Sequence, residues 1–149
     1  MQLKKLSLLA CALVLLLMST SPNAAEQDQH KWIESCPNSH LCFEHPENLM
    51  PVNVQIIDSN AGQYHNDSLT LTYDLGWYAS QFSEMTNAII EPVKIDGHRA
   101  RILIQANRMA LSVPKISDKV RFSMLLEFKG ALQLEQGRRI FNSIRFTYK

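Results

Sequence analysis

Period-two alternation is the feature that most limits what this chain can fold into. Leu69, Leu71, Tyr73 and Leu75 alternate with Thr70, Thr72 and Asp74, and Val120, Phe122, Met124, Leu126 and Phe128 alternate with Arg121, Ser123 and Glu127. Val52, Val54 and Ile56 alternate with Asn53 and Gln55 in the same way. Every second side chain of a strand points to the same side, so each run predicts a strand with one buried face. Asp96-Gly97 lies between a segment ending VKI and the segment HRARILIQA. It predicts a two-residue hairpin, because a type I′ turn needs positive φ at both central residues and Asp-Gly tolerates it.

Helical signals are few. Residues 131 to 144 (ALQLEQGRRIFNSI) bring Leu134, Phe141 and Ile144 near one face, with Gly137 in the interior. A glycine there costs about 1 kcal/mol relative to alanine. Residues 77 to 85 predict a second, short helix, and the closing RFTYK predicts a short edge strand. The expected class is α+β, a mainly antiparallel sheet with a C-terminal helix packed on it.

The first residues address the compartment. Lys4 and Lys5 precede an apolar run over residues 6 to 18, followed by small and polar residues up to Ala25. This is the layout of a secretory signal peptide, with cleavage expected near Ala25 and a mature chain starting near Glu26, although Asn23 is not the small residue an A-x-A site favours. The apolar run is shorter than the roughly 20 residues a membrane-crossing helix needs, so no transmembrane segment is expected after cleavage. Leu8-Leu9-Ala10-Cys11 has the form of a lipobox, but most of the apolar core follows Cys11 instead of preceding it. That order argues against lipid anchoring through Cys11.

Export bears on the stretch CPNSHLCFEH, which holds Cys36, His40, Cys42 and His45. Zinc sites use C-x2-4-C and H-x3-5-H spacings, and this interleaved pattern matches neither. In an oxidising compartment the remaining pair, Cys36 and Cys42, is expected to form a disulfide. So short a loop contributes about 2 kcal/mol on the chain-entropy model. It would pin the chain ahead of the first strand, leaving both histidines as surface residues and no metal bound. Residues 26 to 40 then form a leading segment, and residues 41 to 149 a single domain.

Several chemistries lack support. The five glycines stand at 62, 76, 97, 130 and 137, which provides neither G-x-G-x-x-G nor a P-loop. G-x-S-x-G and H-E-x-x-H are absent as well. No cofactor is expected, and a formal net charge of +1 argues against a nucleic-acid binder. The charge is nevertheless segregated. Residues 26 to 93 carry ten acids and one lysine, whereas residues 94 to 149 carry twelve bases and four acids. With Ala100, Ile102 and Ile104 facing a core, Arg99 and Arg101 share the opposite face, where Arg121 and Lys129 can join them. One reading is a solvated face whose arginines pair with acids of the first half. The other is a basic patch for an anionic ligand, lipid headgroup or acidic partner. Trp77 and Tyr78, just after the strand ending in Gly76, either cap the core or form a hot spot for a partner.

The phrases QIIDSNAG, LTYDLGWYAS, VKIDGHRARIL, LSVPKI and GRRIFNSIRF resemble, in that order, a group of small uncharacterised exported bacterial proteins. They are also similar to the PsbP-like fold, over residues 41 to 149. The resemblance implies antiparallel sheets flanked by helices, a closing helix that runs into a motif like SIRF, a Gram-negative periplasmic location, and a role in binding or assembly without a shared active site. Fold analogy alone does not carry function. The expectation is therefore a periplasmic, non-catalytic module for an envelope protein or an anionic ligand. The alternative is a small periplasmic hydrolase or other enzyme with a dispersed site that the sequence does not single out; a Ser, His and Asp can meet in space, but no motif selects them.

Overall fold

A computed structural model of the protein describes residues 31–54 and 60–148. The expected signal peptide, Cys11, the cleavage point and the Gln55-Ile56 end of the first alternating run lie outside the described residues. In chain order the elements are β1 (Trp32–Asn38), β2 (Leu41–Pro46), β3 (Met50–Val52), β4 (Asn60–His65), β5 (Leu69–Gly76) and β6 (Ile89–Ile95). They continue with β7 (His98–Gln105), β8 (Arg108–Ser117), β9 (Val120–Phe128), α1 (Leu134–Asn142) and β10 (Arg145–Phe146).

All pairings are antiparallel. Seven strands form one sheet in the order β3-β4-β5-β9-β8-β7-β6, and β1-β2-β10 form a second. The inward set of β5 and β9 is the one the alternation predicts: Leu69, Leu71, Tyr73 and Leu75 stand with Phe122, Met124, Leu126 and Phe128 in a single buried cluster. Leu41 and Phe43 of β2 and Ile140 and Phe141 of α1 belong to the same cluster. The small sheet and the helix therefore cover one face of the large sheet, giving the α+β class. β10 is the edge strand expected at the C-terminus, paired to β2.

The helix packs closely at Gly137. A Cβ there would lie 2.3 Å from Met109 Sδ, so the residue read as a propensity cost allows α1 to approach β8. Ile140 and Phe141 are buried on the helix, and Ile144 just beyond it. Leu134, expected on that face, is 40% exposed at the first turn.

The Asp96-Gly97 turn has φ of 48° and 81°, the two positive values of a type I′ turn. Asp96 has a second task, since its Oδ2 accepts a hydrogen bond from the Phe146 N–H at 2.7 Å and ties the hairpin tip to β10.

Four expectations need correction. Residues 77 to 85 are not helical. Short turns run through them, closed by Ala79 N–H to Gly76 O, Met85 N–H to Phe82 O and Ala88 N–H to Met85 O. Phe82 takes φ 52°, which no α-helix accommodates, with the Ser80 hydroxyl accepting from its N–H. Within the described part of the run from Val52, only Val52 lies in a strand, β3, which buries neither face fully and is an edge strand. The Cys36–Cys42 disulfide does form, yet it does not precede the first strand. It closes the β1–β2 hairpin itself, so residues 32 to 38 belong to the fold. With both sulfurs joined to each other, neither is a thiolate ligand for zinc.

The histidines are not ordinary surface residues. His40 is half-buried and stacks on Tyr148, with ring centroids 4.4 Å apart. His45 is buried, with Nε2 2.7 Å from Ser35 Oγ and Nδ1 2.8 Å from the Pro46 carbonyl. Burial holds its pKa below the ordinary histidine value, with the Pro46 hydrogen bond acting in the opposite direction.

Candidate functional site

The face of the large sheet turned away from the helix carries a second, smaller core. Leu103 of β7 and Ala110 of β8 are buried there by Phe82 and Met85, with Ala88 and Leu125 packed alongside. The segment between β5 and β6 is thus a strap laid over this outer face. Aromatic and thioether burial fastens it through Phe82 and Met85. Polar contacts at the neighbouring Gln81 fasten it further: Arg101 donates to the Gln81 carbonyl at 2.9 Å, and the Ser112 hydroxyl donates to Gln81 Oε1 at 3.0 Å.

Strand register explains why these residues meet. Arg101 stands opposite Ser112, Ser112 opposite Ser123, and Ser123 opposite Asp74, forming one polar row across four strands. Ser112 and Ser123 are buried. Asp74 Oδ1 is also buried and has no hydrogen-bond partner among the described residues. One row further toward the end of β5, Gly76 faces Arg121, and Arg99 faces Lys94.

The predicted cations are therefore brought together in part. Arg99, Arg101 and Arg121 share the outer face. Arg99 is exposed and, with Gln81, Ala100, Arg101 and Pro114, lines an open surface depression. Arg101 is half-buried and committed to the strap. Lys129 does not join them: it lies beyond the end of β9, with Nζ 3.5 Å from the Asn66 carbonyl. Trp77 and Tyr78 do not cap the core, being 48% and 85% exposed. Phe82 and Met85 do the covering instead. The Arg121 guanidinium carbon sits over the Trp77 ring, 4.6 Å from its centroid, a cation–π contact.

The pairing reading of the charge segregation holds for part of the cations. Acids of the first half do pair with bases of the second: Glu91 with Arg138 at 2.8 and 3.0 Å, Glu44 with Arg139 at 3.5 Å, and Glu34 with Arg145. The hydrogen bonds from Arg138 hold the Glu91 carboxyl below its usual pKa. Arg139 also lies 3.9 Å from the Trp32 ring centroid. All these pairs join the small sheet, β6 and the helix end of the chain. None involves Lys94, Arg99 or Arg121, which have no ion-pair partner among the described residues.

Sequence reasoning missed Gln81, Ser112, Ser123 and Asp74 as members of this face. Asp74 and Ser123 were visible as the outward members of alternating runs. Gln81 gave no signal, because only the non-local fold of the strap brings it to Arg101.

No protein-family model, curated protein or solved structure matches the chain. Among the described residues, no group of three or more His, Cys, Asp or Glu side chains is placed to hold a metal ion, and no helix is long and apolar enough to cross a membrane.

Proposed function

We propose that the chain is an exported binding or assembly module that recognises an anionic ligand or acidic partner through the outer face of its large sheet. The partition of cations carries this reading. The arginines near the helix are paired with carboxylates, whereas Arg99 and Arg121 stand on the opposite face beside exposed Trp77 and Tyr78, without acidic partners among the described residues. An arginine already held over an indole loses less freedom when it grips a carboxylate or phosphate. Exposed aromatics add rigid contact area. The resemblance to exported proteins and PsbP-like domains supports a periplasmic setting, and the disulfide is consistent with an oxidising compartment.

The test is affinity capture from an envelope extract at low salt, comparing wild type with Arg99→Gln/Arg121→Gln. Arg101 is left intact because it holds the strap. The wild type should retain an acidic protein or anionic small molecule that the variant loses, and added salt should weaken the capture, because exposed charges are screened beyond about 10 Å at 0.1 M salt. Equal capture by both proteins would discard the basic face and leave Trp77 and Tyr78 as the surface to test.

A further inference from the structure

The buried side of β1 and β2 holds a chain of hydrogen bonds that the binding surface does not use. Ser35 Oγ is 2.7 Å from His45 Nε2, and His45 Nδ1 is 2.8 Å from the Pro46 carbonyl. The proton positions follow from the chemistry of each group. A carbonyl oxygen only accepts, so Nδ1 carries the imidazole proton. A buried neutral ring has no second proton, so Nε2 offers its lone pair and Ser35 must donate to it.

These are the relations an activated serine needs. A base accepts the hydroxyl proton, and an acceptor behind the base fixes its tautomer. The Pro46 carbonyl takes the orienting position that a carboxylate takes in the Ser-His-Asp arrangement. The register places the pair diagonally, with Ile33 opposite His45 and Ser35 opposite Phe43. Ser35 keeps part of its surface in solvent, while His45 is only 1% exposed and protected from competing water. β1 is also the outer strand of its sheet, so alternate backbone N–H groups along it point away from β2 and can donate to an oxyanion.

We propose that Ser35 is a nucleophile with His45 as its general base, giving the chain an acyl-transfer activity toward carboxylic esters. Oγ attacks the ester carbonyl carbon, its proton passes to Nε2, and the carbonyl π pair moves onto oxygen. Collapse breaks the bond to the leaving alkoxide, which takes the proton from Nε2 and departs as the alcohol. Water then attacks the acyl-serine by the same proton path and releases the carboxylic acid. Nothing is oxidised or reduced. The site lies between the sheets, so it stands or falls independently of the outer face.

The experiment is reaction of the intact, disulfide-bonded wild-type protein with a fluorophosphonate, followed by intact mass and peptide mapping. A phosphorus–oxygen bond forms at Ser35 as fluoride leaves. The expected result is one adduct per chain, at Ser35, forming at least about 100-fold faster than in the same protein unfolded in urea, because a positioned general base contributes about 10²- to 10⁴-fold. Ser35→Ala should abolish the adduct, and His45→Gln should slow it by a similar factor. No adduct at Ser35 in the folded wild type, an adduct only elsewhere, or a folded rate no faster than the unfolded one would each overturn the proposal. Labelling of folded His45→Gln at the wild-type rate would overturn it too. If that variant does not fold, the comparison of folded with unfolded wild type still decides.

Discussion

An alanine at Gly62 would place its methyl carbon 2.5 Å from the Tyr73 hydroxyl and 2.8 Å from two of its ring carbons. The Tyr73 ring is buried in the core beside Phe43 and has little room to step aside. Burial, with Tyr64 nearby, pushes its hydroxyl up to about 12, so it remains neutral through the working range. Gly62→Ala should therefore lower stability by about 1–3 kcal/mol, the usual cost of overpacking, seen as a lower denaturant midpoint at unchanged slope. Trimming the ring in Gly62→Ala/Tyr73→Leu should cost less than the two single changes added together. His45 supports a second expectation, on pH. Its folded pKa is lowered by burial, so below the ordinary histidine value near 6.5 the unfolded chain binds a proton that the native state resists. Stability should be level above about pH 6.5 and fall as pH drops below it. Denaturation midpoints at pH 8, 6.5 and 5 test this: the loss between 6.5 and 5 should be smaller in His45→Gln, and an equal loss in both proteins would assign the titration to another group.

Elements differ in how plainly the sequence announces them, and the Asp96-Gly97 hairpin is the plainest. Nothing lies within 4 Å of a Cβ built on Gly97, whose φ is 81°, so substitution there tests backbone strain without a clash. Gly97→Val should cost about 1–2 kcal/mol, whereas Gly97→Asn should cost only a few tenths, because asparagine tolerates the left-handed region. Equal losses would point to something other than φ. β5 and β9 were legible because only their inner faces are packed tightly, which preserves the alternation. β8 was not, since Met109, Ala110, Leu111, Ser112 and Val113 are all buried. A strand covered on both sides has no period of two. Its turn from β7 was hidden for another reason: Ala106 takes φ 53° where glycine is the usual signal. β1 carries a proline and few large apolar residues, and its place depends on the disulfide and on pairing with β2. Reducing Cys36–Cys42 should lower stability by about 2 kcal/mol, measured by unfolding with and without reductant. The two candidate sites divide along the same line. Arg99, Arg101 and Arg121 follow from alternation once the strands are known, while Gln81 at Arg101 and Ser35 at His45 depend on contacts between separate elements.

Across the whole molecule the segregated charges do two jobs on two faces, and that separation can be measured. On the helix side, Glu91, Glu44 and Glu34 tie the first half of the chain to Arg138, Arg139 and Arg145 of the second. The Glu91 and Arg138 side chains are about one-third exposed, at 34% and 35%, so solvent screens the pair and its contribution stays modest. On the outer side, Arg99 is exposed and Arg121 rests on Trp77. Arg138→Gln should therefore lower stability by less than about 1 kcal/mol and leave capture of an anionic partner unchanged. Arg99→Gln removes the same formal charge and should do the reverse: stability within about 0.5 kcal/mol of wild type, capture weakened, and the weakening largest at low salt. Net charge falls by one in each variant, so a general loss of positive field would weaken capture equally in both. Only a site on the outer face separates them, and a matched pair of unfolding curves and capture assays over a range of salt concentrations reads the difference directly.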